Sequence, residues 1–131
     1  MLGLDTNVLV RFLVGDDASQ AARARRLIDQ GSSDSEEILV SLIVLAETEW
    51  VLRTRYGITK NQLVSTILAL LATDGVWLED EPTVEEALFH WQEGVAGFAD
   101  CLIGARNRRL GCRLTATFDA KAARLPGFVA V

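Results

Sequence analysis

The chain has 131 residues, half of them apolar, and a formal net charge of −5. That length suits a single domain over residues 1–131, and that apolar share excludes a disordered chain. The acidic balance excludes a coat that binds nucleic acid by bulk attraction, but not an enzyme whose own carboxylates are neutralised by cations.

In chain order, MLGLD reads as a first strand that ends on an acid, Asp5. NVLVRFL, residues 7 to 13, allows a strand through its β-branched residues and equally allows a short helix. Asp16 or Asp17 caps a polar helix with Ala22, Leu27 and Ile28 inward and Gly31 as its stop. GSSDSEE, residues 31 to 37, reads as a loop too short to separate a pair of domains. ILVS, residues 38 to 41, is a second, fully buried strand, and residues 42 to 55 continue as a helix that ends before Gly57. Thr59 and Gln62 make a capping box with Ile58 and Leu63 at the staple positions. Leu63, Ile67, Leu70 and Leu71 then keep helical spacing. VWLE, residues 76 to 79, is a short strand. Thr83 and Glu86 form another capping box, and Ala87, Leu88 and Trp91 carry that helix to Gly94. A helix over 99 to 110 ends at Gly111, CRLTAT at 112 to 117 is a strand, and FVAV closes the chain as a last one. Strands alternating with helices define an α/β class, with a parallel sheet and helices on both faces.

No apolar run approaches the roughly 18–20 residues that cross a bilayer. The N-terminus lacks the basic, apolar, small-residue order of a secretory signal. Cys101 and Cys112 have no CxxC partners, so reduced thiols in a cytoplasmic protein are expected. Only Lys60 and Lys121 are lysines; the other eleven of the thirteen basic residues are arginine, a residue suited to bidentate phosphate contacts.

Four acids stand in unusual places. Glu47 has Ile43, Val44, Trp50 and Val51 three and four positions away, so on a helix it is a carboxylate on an apolar face. Glu49, by contrast, has Arg53 four residues on as an ion-pair partner. Asp5, Asp100 and Asp119 each read singly as helix caps. Together they read differently. Asp5 and Asp119 follow strand ends, Asp100 opens a helix, and Glu47 lies early in a helix that follows a strand. In an open α/β sheet those places share the edge that carries active sites. Grouped carboxylates repel one another unless a cation binds. An oxygen-rich set suits Mg²⁺ or Mn²⁺, and such metals work on phosphate esters. His90 lies between Glu86 and Glu93 on a solvent face, and neither a GxSxG nor a P-loop is present.

GLDTNVLVR, LAETEWVL, FADCLIGA and TATFD, in that order, resemble the PIN-domain ribonucleases, and among them the VapC toxins of type II toxin–antitoxin systems. The resemblance spans nearly the whole chain. It implies a PIN-like three-layer α/β/α fold with strand order 3-2-1-4-5, and a short helix at residues 7 to 13. It places the family's acidic quartet on Asp5, Glu47, Asp100 and Asp119, with Asn7, Thr6 and Thr117 as auxiliary polar residues near the metal. It implies Mg²⁺- or Mn²⁺-dependent endonuclease action on RNA, leaving a 5′-phosphate and a 3′-hydroxyl. It also implies a homodimer held inactive in a hetero-oligomer with a VapB-type antitoxin. Arg11 is a candidate contact for RNA phosphate or the antitoxin, or a plain surface residue.

Two other readings stand beside this one. An aspartyl-phosphate phosphatase or receiver domain also uses an Asp after the first strand, but the phosphatase wants a second Asp where Asn7 stands. A receiver wants a late lysine after a strand. A non-catalytic module would use the acids only to receive an antitoxin's basic side chain.

Overall fold

The computed structural model describes residues 1–33 and 36–131. Among them are six α-helices, five short strands and one 3₁₀ turn, an α/β fold as expected. They form two compact units, Met1–Glu79 and Asp80–Val131. No helix among the described residues is long and apolar enough to cross a membrane.

In Met1–Glu79, β1 (Leu2–Gly3), β2 (Ile38–Val40) and β3 (Val76–Leu78) form a parallel sheet in that order. Ile38 pairs with both Leu2 and Val76, and Val40 with Leu78. Alternate residues of a strand share a face. Ile38, Val40, Val76 and Leu78 are accordingly buried, whereas Trp77 faces out. Parallel neighbours need crossovers. Helices α1 (Thr6–Val14) and α2 (Ala18–Ser33) provide the first, and α3 (Leu42–Arg55) and α4 (Lys60–Leu71) the second.

The ambiguous stretch at 7 to 13 is helical. Asp5 caps α1, Leu9 and Val10 are buried, and Gly15 stops it in the left-handed region at φ 71°. The Thr59–Gln62 capping box is present, with Gln62 N donating to Thr59 Oγ1 at 3.3 Å and Thr59 N to Gln62 Oε1 at 3.0 Å.

Helix α2 departs from expectation in two ways. Its buried line is Ala21, Ala24 and Ile28, spaced 3 and 4, while Ala22 is exposed. Gly31 does not stop it; the helix runs on to Ser33, so the loop expected at 31 to 37 lies partly outside the described residues. Gly31 serves close packing instead. A Cβ there would lie 2.6 Å from Ile38 Cγ1.

In Asp80–Val131, α5 (Glu81–Glu93) packs on α6 (Phe98–Arg109), with Trp91 and Phe98 ring centroids 4.9 Å apart. The expected capping box at Thr83 and Glu86 is replaced by an Asp80 cap. Asp80 sits at φ 55°, a left-handed conformation that Asp tolerates, and accepts from Thr83 Oγ1 at 2.6 Å and Arg106 at 3.0 Å. Glu86 is held by Arg108 and Arg109. Strand β4 (Thr115–Thr117) is shorter than the expected 112 to 117, because Cys112 N is turned to Asn107 O by the left-handed Gly111. It pairs in parallel with β5 (Phe128–Ala130). Gly104 leaves room for the Phe128 ring, which a Cβ would strike.

The strands thus form two ladders, 1-2-3 and 4-5, rather than the single order 3-2-1-4-5. Among the described residues β1 is only two residues long, and its backbone bonds run to the β2 side, Leu2 N to Glu37 O and Leu4 N to Leu39 O.

Candidate active site

In Met1–Glu79, the sheet delivers Asp5 one residue after Leu4. Its extended backbone (φ −81°, ψ 157°) makes it the N-cap of α1, and Oδ1 accepts from Thr6 N at 2.9 Å. The capping reading of Asp5 therefore holds, and the carboxylate is still exposed to solvent. Thr6 turns inward and is 6% exposed. Its Oγ1 donates to Glu47 Oε1 on α3.

Helix α3 is placed by two caps. Ser41 Oγ accepts from Val44 N at 3.2 Å, and Glu79 Oε1, just past β3, accepts from Leu42 N at 3.0 Å. The expected burial of Glu47 on an apolar face is not found. Glu47 is exposed, and its apolar neighbours Ile43 and Trp50 are 79% and 50% exposed. The buried line of α3 is Leu45, Thr48, Glu49 and Leu52. Glu49 is the buried acid, 4% exposed, and it accepts from Arg53 Nε at 2.9 Å. The expected Glu49–Arg53 pair is therefore present. A helix apolar on nearly every side carries little periodic signal, so which acid points inward was set by packing.

Asn7 is exposed and lines a cleft of about 420 Å³ with Val8, Arg11, Gln20 and Arg23. Arg11 is already engaged. It donates to Gln20 at 2.6 Å, Asp16 at 3.2 Å and Tyr56 at 3.3 Å, and Tyr56 donates to Asp16 at 2.8 Å. The Tyr56 bond and the Asp16 charge raise the Arg11 pKa further above its usual value. No sequence signal links Arg11 to Tyr56, 45 positions away.

In Asp80–Val131, Asp100 stands in the first turn of α6 but does not cap it; Gly97 holds that position without a side-chain bond. Asp100 is half-buried. Burial and then the nearby charge of Asp119 push its carboxyl above the usual carboxylate range. Asp119 follows β4. Its Oδ1 accepts from Ala122 N at 2.8 Å, and its own N–H donates to Thr117 Oγ1 at 3.0 Å. Thr117 thus shapes the turn that presents Asp119. Cys101 is buried and Cys112 is exposed.

The four acids thus stand in two local pairs, Asp5 with Thr6-held Glu47, and Asp100 with Asp119. Among the described residues, no set of three or more His, Cys, Asp or Glu side chains gathers as metal ligands.

An α/β fold with acids at strand ends and helix starts is the class these features define. The family model for the PIN domain matches residues 3–127, and the chain belongs to that family. It is similar to a VapC ribonuclease of Aquifex aeolicus (strain VF5), 23% identical over 128 residues that cover 98% of this chain and 93% of that one. Among solved structures it is similar to a sarcin-ricin loop cleaving VapC toxin of Mycobacterium tuberculosis. That match has 22% identity and a TM-score of 0.42 over 94% of this chain and 93% of the other. A toxin–antitoxin complex from Klebsiella pneumoniae matches at 22% identity and a TM-score of 0.38, over 98% and 96%.

Proposed function

We propose that this chain, read as one PIN domain over residues 1–131, is a metal-dependent endoribonuclease, the VapC-type toxin of a toxin–antitoxin pair. PIN membership and the similarity to a VapC ribonuclease support the class. One structural observation carries the chemistry. Asp100 lies half-buried beside Asp119, makes no cap bond, and neither acid has a basic partner among the described residues. Two carboxylates so placed want a cation.

The donor set is all oxygen, which fits Mg²⁺ or Mn²⁺. Asp5, Asp100 and Asp119 would hold it, with Asn7 and Thr117 as polar neighbours. When bound, such a cation neutralises phosphate charge and activates water. Glu47, kept in orientation by Thr6, helps hold the cation or orients the attacking water. The water oxygen attacks phosphorus in line and gives up a proton, the bond to the 3′ oxygen breaks, and that oxygen takes up a proton. The products carry a 5′-phosphate and a 3′-hydroxyl. A VapB-type antitoxin, a homodimer and a cytoplasmic setting belong to the same reading.

The test is cleavage of total RNA by purified protein freed of any partner, with Mg²⁺, with Mn²⁺ and with EDTA, beside Asp5→Asn and Asp100→Asn. Discrete fragments that need metal and vanish in folded variants support the reading. Wild-type rates in either variant would sink the assigned roles.

A further inference from the structure

We propose that the cleft between the α5–α6 connection and the 3₁₀ turn after Asp119 binds the backbone phosphate of single-stranded RNA, with Lys121 and Arg124 as its cationic wall. The cleft holds about 320 Å³ and is lined by residues 93 to 96 on one side and by Lys121, Arg124 and Leu125 on the other. It is open; Val95, Lys121 and Arg124 are all exposed.

The turn itself aligns the two cations. Arg124 N donates to Lys121 O at 3.2 Å, closing a three-residue repeat. Residues three apart in a 3₁₀ turn eclipse one another, so both side chains leave from the same face. The opposite side is anchored by Ala122, fully buried, and Leu125, nearly so. Neither cation has an ion-pair partner among the described residues. By contrast Arg106 is bound to Asp80, and Arg108 and Arg109 to Glu86. Free, adjacent cations in an acidic chain are a local electrostatic site for an anion.

Position selects the anion. One wall leads directly into α6 and Asp100, and the other begins at Asp119, which caps the turn through Ala122 N. This inference rests on the proposed nuclease reading. A phosphodiester engaged at Asp100 and Asp119 has its neighbouring phosphates along the same strand, and the cleft takes one of them. Arg124 supplies a bidentate fork and Lys121 a point charge. Glu93 on the far wall repels phosphate and confines it to the turn side.

The experiment measures fluorescence anisotropy of a short labelled single-stranded oligoribonucleotide of mixed sequence. It uses the full chain in the Asp5→Asn background with Mg²⁺, from about 50 to 200 mM salt. Lys121→Gln with Arg124→Gln weakens binding about tenfold at low salt. It also flattens the salt dependence by about 0.7 for each phosphate that is no longer neutralised. Glu93→Gln tightens binding, Lys121→Arg retains it, and melting curves confirm that every variant folds. Unchanged affinity and slope in the double variant overturn the proposal, as does an Asp5→Asn chain that keeps Lys121 and Arg124 yet binds no RNA. So does a double variant that binds RNA normally but loses an acidic protein partner. Normal binding by the double variant beside metal-dependent cleavage by the wild type would sink this inference alone. Cation-dependent binding without cleavage would sink the nuclease reading alone.

Discussion

Thr6 Oγ1 donates a hydrogen bond to Glu47 Oε1 across 41 positions of the chain. Thr6 is buried beside the Asp5 cap and Glu47 is exposed on α3, so one hydroxyl couples the segment of Asp5 to that of Glu47. Thr6→Val keeps shape and burial and removes the donor. Water reaches Glu47, so stability changes by less than about 1 kcal/mol. Cleavage of RNA falls about 10- to 100-fold, the usual loss when the partner of a functional carboxylate is removed. Thr6→Ser retains activity. Cleavage rates measured beside melting curves check this, and a Val variant as fast as wild type would remove Thr6 from the mechanism.

Of the four candidate acids, Asp100 has the fewest structural duties, since it neither caps α6 nor pairs with a base among the described residues. A cation bound to the folded state alone raises stability by about 2.7 kcal/mol at a hundredfold excess over its Kd. Mg²⁺ therefore raises the melting temperature of the wild type, EDTA reverses the rise, and Asp100→Asn blunts it. Equal rises in both proteins would place Asp100 outside any metal site.

Asp80 sets a pH dependence of stability. The Thr83 hydroxyl, with further help from the Arg106 charge, holds its carboxyl below the usual range. A depressed folded pKa contributes stability that is fully present above the unfolded value, about 3.9, and is lost as pH falls through the folded value. Asp80→Asn keeps the left-handed tolerance and the cap but loses the charge. It costs about 1 kcal/mol at neutral pH, the difference between hydrogen bonds to a charged and to a neutral acceptor, and the gap to wild type closes as pH falls below about 4. Denaturant titrations at several pH values measure this; a gap constant down to strong acid would deny the charge any role.

Gly31→Ala sets helix propensity against sterics. Alanine gains about 1 kcal/mol in a helix interior. The added Cβ meets Ile38 Cγ1 at 2.6 Å, and Ile38, 1% exposed, must shift to admit it. Overpacking of that kind costs about 1–3 kcal/mol, so the variant is less stable by about 1 kcal/mol net. A more stable variant would mean that α2 and β2 separate freely.

The portions of the fold legible in the sequence are those governed by neighbours within a turn or two. The Thr59–Gln62 box, the ILV strand with Ile38 and Val40 buried and Leu39 half-buried, the extent of α3 and the left-handed Gly111 all depend on residues a few positions apart. The Thr83 reading failed within that same range. Thr83 is wholly buried, its hydroxyl turned back to Asp80, and Arg106 reinforces that acid from 26 positions away.

The sequence by itself determined the family, the alternation of strands and helices, and the four acids at strand ends and helix starts, because each is written in contiguous residues. Tertiary structure alone decided that Glu49 rather than Glu47 is buried and that Thr6 holds Glu47. It also decided that Gly31 is a packing residue, and that Lys121 and Arg124 line a cleft. Those outcomes depend on which backbone lies against which. Side-chain partners 26 to 45 positions away from each other meet only once helices have packed on strands, and no local periodicity encodes that contact.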